Sequence, residues 1–290
     1  MKPPSSAIIG VDFTSAPRPR KPITVAVGTL AGGRRDPVYR LEAVHGIAAL
    51  DGFAAFLREP LGWIGGFDLP FGQPRSLIEH EGWPTDWRRL VRWFCAEPRD
   101  SLRDVFRRWC AGRPAGDKFA WRKADKPAGS SPAMRWTNPP VAWMMHAGIG
   151  RMLDAGLSFP AHRVAGRGSG RGRIALEAYP GFTARQACRR SYKSDTPAAQ
   201  TADRRDNRRT ILRALEAGTT GLDVRLELSP GLARQMIDDG AGDLLDAAIC
   251  GLQAAHASIQ PGYGLPRDLD PLEGWIASVP PRSARSTAEA

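Results

Sequence analysis

The stretch AIIGVDF, residues 7–13, decides the interpretation of the fold. It is a short apolar run that carries Asp12 near its end, the pattern of a buried strand. Two further runs follow after short connections, ITVAVGTL at residues 23–30 and VYRLEAV at residues 38–44. Three strands this close in sequence predict an antiparallel meander.

The next segments extend the meander into an α/β pattern. Residues 46–57 have apolar side chains at helical spacing, and residues 63–69 (WIGGFDL) form an apolar run with Asp68, broken by Pro70. We expect a crossover helix followed by a central strand, so the chain begins β-β-β-α-β.

The C-terminal part returns to strand and helix patterns. Residues 174–179 (IALEAY) predict a strand that Pro180 stops, and residues 201–217 and 230–238 predict helices. Residues 243–257 (DLLDAAICGLQAAHA) predict an Ala-rich closing helix.

The segment 72–173 differs from both flanking parts. It contains 19 Lys or Arg against 9 Asp or Glu, a net of +10 within a chain of net +11, and seven of the nine tryptophans. Its pattern predicts helices at 85–110 and 140–155, a long loop at 112–140, and a flexible linker at 166–173. We therefore expect a core made of 1–71 and 174–280, a basic, Trp-rich helical insertion at 72–173, and a disordered tail at 281–290.

Composition limits the functional classes. An apolar content of 42% is enough for a buried core, and a net charge of +11 favours polyanionic partners, although an Arg-rich coding bias explains the charge equally well. The four cysteines have no zinc-ligand spacing, and we expect them to be reduced and mostly buried. Without a signal-peptide pattern or an apolar stretch of about 18 residues, we expect a cytoplasmic protein with no membrane partner.

Five acids form the candidate site. Asp12 and Asp68 lie at or near strand ends, Glu177 lies near the end of its strand, and Asp243 and Asp246 share one helical face at i, i+3. Singly, each has a structural alternative: a turn or cap for the aspartates, an arginine partner for Glu177. Together they predict carboxylates that share Mg²⁺ or Mn²⁺, which are hard cations that prefer oxygen ligands.

A family resemblance, spanning residue 7 to about residue 258, rests on four ordered pieces: IIGVDF, GFDLPFG, LEAYPG and GDLLDAAICGLQAA. In this order the chain resembles the RNase H-like superfamily, and more narrowly the family called domain of unknown function 429, described as predicted nucleases. The resemblance implies that Asp12, Asp68 and Asp246 hold metal, with Asp243 or Glu177 completing the ligand set. The sequence PFG after Asp68 and the large basic insertion depart from the family pattern.

The insertion supplies candidates for binding nucleic acid. Arginine-rich helices with interleaved tryptophans suit a phosphate backbone and stacked bases. The candidates are Arg88, Arg89, Arg92, Arg107, Arg108, Arg122, Lys123, Lys126, Trp121 and Trp136. The spacing of Trp87, Trp93, Phe94 and Trp109 favours helix core instead.

These patterns predict a metal-dependent nuclease or phosphodiesterase that acts on nucleic acid. Two alternatives stay open: a nucleic-acid-binding protein without catalysis, and a phosphotransferase of the actin-like type with residues 12–15 as its phosphate-facing turn. The absence of glycine from that turn counts against the phosphotransferase.

Overall fold

The computed structural model describes residues 7–33, 35–59, 62–166 and 172–280. Within these ranges six strands form one sheet in the order β5-β4-β1-β2-β3-β6. The strands are β1 (Ala7–Asp12), β2 (Ile23–Gly33), β3 (Asp36–Ile47), β4 (Trp63–Asp68), β5 (Arg173–Glu177) and β6 (Arg225–Glu227). The predicted tail at 281–290 and most of the predicted linker at 166–173 lie outside the described residues.

The sheet is mixed. β1, β2 and β3 pair antiparallel, which confirms the predicted meander, and β4 and β5 add in parallel on the other side of β1. β6 pairs in parallel with the outer edge of β3. The carboxyl ends of β1, β4 and β5 consequently meet at one edge of the sheet.

The described ranges also contain ten α-helices, which flank the sheet. They are α1 (Leu50–Arg58), α2 (Arg75–His80), α3 (Trp87–Ala96), α4 (Arg99–Ala111), α5 (Asp125–Ala128), α6 (Val141–Asp154), α7 (Pro180–Ala187), α8 (Ala202–Ala217), α9 (Pro230–Asp238) and α10 (Asp243–Ile259).

Alternate residues of β1 face two separate cores. Ile9 and Val11 lie in one hydrophobic cluster with buried side chains of α1, α3, α4 and α6, whereas Ile8 lies in another with side chains of α7 to α10. The chain is thus a mixed α/β protein whose helices cover both sheet faces, as a buried central strand requires. Trp87, Phe94 and Trp109 are buried in the first cluster, which confirms their predicted core position.

The basic segment 72–173 forms α2 to α6 and contributes much of this first core. Its buried side chains lie in the same cluster as those of β1 and β4. It is therefore a helical layer on the sheet, and the predicted division into core and insertion stays a prediction.

Helix α10 contacts the sheet at glycines. A Cβ atom on Gly10 would overlap the backbone of Ala247 and Gly251, and one on Gly66 would overlap the carbonyl of Cys250. The backbones of helix and strands therefore approach too closely for any side chain between them. Small residues at these contacts allow α10 to pack closely against the sheet.

Several sequence predictions need correction. The helix predicted at 46–57 begins only at Leu50, because Gly46 and Ile47 pair with β2 and extend β3. α7 begins at Pro180, which was expected only to stop a strand, and α2 and β6 were not predicted. The four cysteines are free as expected, but only Cys250 is fully buried, whereas Cys95, Cys110 and Cys188 are partly exposed.

Candidate functional site

Two of the predicted acids are direct neighbours in the sheet. Asp12 of β1 and Asp68 of β4 are register partners in the parallel pair, and each is the last residue of its strand. Glu177 ends β5, opposite Phe67 of β4. Crevices at the carboxyl ends of parallel strands are where open α/β sheets bind their ligands.

The two helical acids lie at the beginning of α10. Asp243 is its first residue and Asp246 also lies in its first turn, where the helix dipole favours negative charge. The glycine contacts of α10 with β1 and β4 hold this turn beside the strand ends. The helical acid Asp243 and the strand-end acids Asp12 and Asp68 therefore line the same cleft.

Asp246 is held by two hydrogen-bond donors that no sequence pattern indicated. The Tyr192 hydroxyl donates to Oδ1 at 2.6 Å, and the Lys193 ammonium donates to Oδ2 and forms an ion pair. Asp246 is fully buried, whereas 41% of the Lys193 side chain is exposed. Both donors come from the segment between α7 and α8, and only the folded chain brings them to α10.

Glu177 is also occupied. Its carboxylate accepts hydrogen bonds from both terminal nitrogens of Arg122, at 2.6 and 2.8 Å, and from the Phe71 amide at 2.9 Å. Arg122 also pairs with Asp125, and all three charged side chains are buried. Burial acts to lower the pKa of Arg122, but the charges of Asp125 and Glu177 outweigh it, so the guanidinium stays charged. The arginine partner, considered above as an alternative for Glu177, is what the structure contains.

The remaining three acids differ from Asp246 and Glu177 in their partners. Within the described part of the chain, the carboxylates of Asp12, Asp68 and Asp243 accept no hydrogen bond. Burial raises the pKa of Asp12 well above its usual value, with the charge of Asp246 adding to the rise and Lys193 opposing it. Burial raises the pKa of Asp68 to about 7, and it also raises that of Asp243. The cluster therefore disfavours ionised carboxylates unless a cation joins them.

All three open into one cleft of about 600 Å³. Residues from the loops after β1 and β4, from the segment before α6 and from the Lys193 segment complete its walls. The lining includes Asp12, Thr14, Ser15, Lys21, Asp68, Arg122, Ser130, Ser131, Met144, Glu177, Tyr179, Lys193, Asp195 and Asp243.

Mg²⁺ or Mn²⁺ fits the chemistry of Asp12, Asp68 and Asp243, because these cations prefer carboxylate oxygens and would remove the cost that raises the carboxyl pKa values. Among the described residues, however, no three His, Cys, Asp or Glu side chains are already arranged to hold an ion. The carboxylates would have to turn toward a cation as it binds.

The predicted nucleic-acid-binding residues do not form one surface. Arg122 is buried in its ion pairs, so its donors are not available to a phosphate backbone. Trp136 stacks on Phe106 with ring centroids 5.9 Å apart and packs against the core. Arg88, Arg89 and Arg92 lie on α3, and the lining of the acidic cleft, as far as the structure describes it, includes none of them.

A second cavity gathers the other candidates. It has a volume of about 500 Å³ and is lined by Trp121, Lys123, Lys126 and Trp275, among others. The Lys126 ammonium lies 5.7 Å from the centre of the Trp121 ring. Arg122 lines both this cavity and the acidic cleft, so the two adjoin.

Comparison with models of known protein families, with curated proteins and with solved structures found no match. Within the described ranges, no helix combines the length and apolar content needed to cross a membrane.

Proposed function

We propose that the chain is a metal-dependent phosphodiesterase that hydrolyses nucleic acid on an RNase H-like sheet. The observation that carries the proposal is the register pair of Asp12 and Asp68 at the ends of adjacent parallel strands, with the first turn of α10 beside it. The strand order, with an antiparallel meander on one side of β1 and two parallel strands on the other, supports the fold assignment.

In the proposed site, Asp12, Asp68 and Asp243 hold a divalent cation through carboxylate oxygens. When bound, the cation lowers the pKa of water and neutralises charge on the scissile phosphate. Hydrolysis forms a bond from the water oxygen to phosphorus and breaks the bond to the leaving sugar oxygen, which takes up a proton. The buried ion pairs of Glu177 keep the cleft wall fixed during this change.

The adjoining cavity supports a nucleic-acid substrate. A base stacks on the Trp121 ring, and the exposed Lys123 and Lys126 contact phosphates on either side of it. Stacking on aromatic rings beside lysines is how single strands are bound without sequence preference. Because an unpaired base is needed for such stacking, the proposal favours single-stranded substrates.

One observation favours a second candidate, a nucleic-acid-binding protein without catalysis. Lys193 and Arg122 already neutralise Asp246 and Glu177, as in a site that needs no metal. Metal binding separates the candidates, because only the phosphodiesterase requires it.

The test is calorimetric titration of Mn²⁺ into the wild type, Asp12→Asn, Asp68→Asn and a control, Asp104→Asn. Asp104 lies on α4 with 63% of its side chain exposed. We expect the wild type and Asp104→Asn to bind Mn²⁺, and affinity to fall at least about tenfold in the site variants, because each loses a ligand charge. Cleavage of single-stranded DNA and RNA should follow the same pattern. Equal Mn²⁺ affinity in all four proteins would overturn the proposed site.

A further inference from the structure

Four aspartates form a cluster at the sheet edge: Asp12, Asp68, Asp243 and Asp246. In the described part of the chain, Lys193 is the only cation bonded to this aspartate cluster. Its ammonium donates to Asp246 Oδ2, and its charge also acts on Asp12 and Asp68. The side chain is half-exposed and lines the acidic cleft. It therefore lies between a buried carboxylate and the space that a substrate phosphate would enter.

The hydrogen bonds of Asp246 separate it from the other aspartates. With Tyr192 on one carboxylate oxygen and Lys193 on the other, this fully buried side chain has a donor for each oxygen. Without Lys193, the buried Asp246 carboxylate would lose its counterion, which is unfavourable for a buried charge. Asp12, Asp68 and Asp243 face the cleft, and no donor among the described residues bonds to their carboxylates.

A phosphodiesterase that uses two cations places one beside the attacking oxygen and one beside the leaving oxygen. Here, three free carboxylates lie beside a fixed ammonium. Accepting the phosphodiesterase function proposed above, we propose that Lys193 takes the place of a second metal ion: the site holds one divalent cation, at Asp12, Asp68 and Asp243, and the Lys193 ammonium supplies the other positive charge.

A fixed Lys193 accounts for the difference between the ligand set that the resemblance implied and the contacts of Asp246. The resemblance implied Asp246 as a metal ligand, whereas the structure gives its oxygens to Tyr192 and Lys193. In this arrangement Asp246 positions Lys193. Asp243 replaces Asp246 as a metal ligand. A lysine cannot be removed by chelators, so one of the two charges is permanent.

The experiment counts Mn²⁺ ions per chain by calorimetry and by electron paramagnetic resonance, in the wild type, Lys193→Met, Lys193→Arg and Tyr192→Phe. Methionine keeps much of the length and removes the charge, arginine keeps the charge, and Tyr192→Phe removes only the other donor to Asp246. We expect one Mn²⁺ in the wild type, Lys193→Arg and Tyr192→Phe. We expect a second Mn²⁺ in Lys193→Met, because the Asp246 carboxylate becomes available.

Each outcome decides a separate question. Two Mn²⁺ ions in the wild type would show that Lys193 yields to metal, which overturns this inference and leaves the phosphodiesterase standing. No Mn²⁺ in the wild type would overturn the phosphodiesterase itself. Two Mn²⁺ ions in the wild type or in Lys193→Arg overturn the inference even if Lys193→Met fails to fold. A single Mn²⁺ in a folded Lys193→Met would also count against the inference.

Discussion

The carboxyl group of Asp68 has a pKa of about 7, because burial disfavours its charged form. In the unfolded chain the group ionises near its usual value of 3.8. The folded chain thus keeps a proton that the unfolded chain has lost, and the free energy of unfolding contributed by Asp68 falls as pH rises from about 4 to 7. A bound divalent cation would remove this loss.

We therefore expect Asp68→Asn to raise the free energy of unfolding of the metal-free protein at pH 8 by about 1 to 3 kcal/mol, and to change it little at pH 4. Urea unfolding at the two pH values measures the difference. Asp104→Asn serves as the exposed control and should show no pH-dependent gain. A loss of stability in Asp68→Asn at pH 8 would contradict the raised pKa of Asp68.

Replacing Arg122 should strongly lower the free energy of unfolding, whereas replacing its neighbour Lys123 should hardly change it. Arg122 is buried between two carboxylates, so Arg122→Ala leaves Asp125 and Glu177 buried without a counterion. We expect a loss of about 3 to 5 kcal/mol in the free energy of unfolding, measured by urea denaturation. Lys123 is exposed, and Lys123→Ala should change stability by less than about 0.5 kcal/mol. Similar losses of unfolding free energy in both variants would contradict the buried ion pairs of Arg122 with Asp125 and Glu177.

At the scale of elements, the docking of α10 on β1 and β4 sets the site. An added methyl at Gly10 would overlap the α10 backbone, which cannot rotate away as a side chain does. We expect Gly10→Ala to lower the free energy of unfolding by about 3 kcal/mol and to weaken Mn²⁺ binding, since the first turn of α10 moves with the helix. Gly33→Ala is the matched control, because a Cβ there has no neighbour within 4 Å.

Thermal unfolding and Mn²⁺ titration of both glycine variants provide the measurement. A Gly10→Ala protein with wild-type stability would show that α10 is not held at the distance described. Intact Mn²⁺ affinity in a destabilised Gly10→Ala protein would show that Mn²⁺ binding does not depend on the close packing of α10.

Helices and strands with a clear pattern of apolar residues were predictable from the sequence. Those whose limits depend on pairing with a neighbouring strand were not. β1, β4 and α10 have continuous apolar or small-residue patterns that one-dimensional reasoning detects. β6 has three residues, too few for a period, and exists because β3 offers it a free edge. The start of α1 was misplaced for the same reason, since pairing with β2 overrides helical spacing.

The site divides in a similar way at the scale of the whole molecule. The positions of Asp12 and Asp68 at or near strand ends led to the prediction that they share a site, and the parallel register of β1 and β4 makes them direct neighbours. No pattern in the sequence indicates that Lys193 reaches Asp246 or that Arg122 reaches Glu177, because these pairs join segments 53 and 55 residues apart. Charged side chains in irregular segments acquire their partners only through tertiary packing.

Segment 72–173 carries nearly all of the chain's net positive charge, but exposed arginines also lie on α8, so the test of the binding face compares the two regions. We propose the cavity of Trp121, Lys123 and Lys126 as that face. Replacing both lysines by alanine should weaken binding to single-stranded DNA and lower the slope of log affinity against log salt by about 1.4, since each lost phosphate contact accounts for about 0.7.

The charge-matched control is Arg205→Ala with Arg213→Ala. Both arginines lie exposed on α8, which packs on the opposite face of the sheet from α3 and α6. Fluorescence anisotropy at several salt concentrations measures both double variants. If the α8 variant loses the salt slope and the lysine variant keeps it, the polyanion lies along α8, and Trp121 is not its stacking platform. If only the lysine variant loses the salt slope, the single-stranded DNA passes beside the acidic cleft. Its phosphates then lie near Asp12 and Asp68.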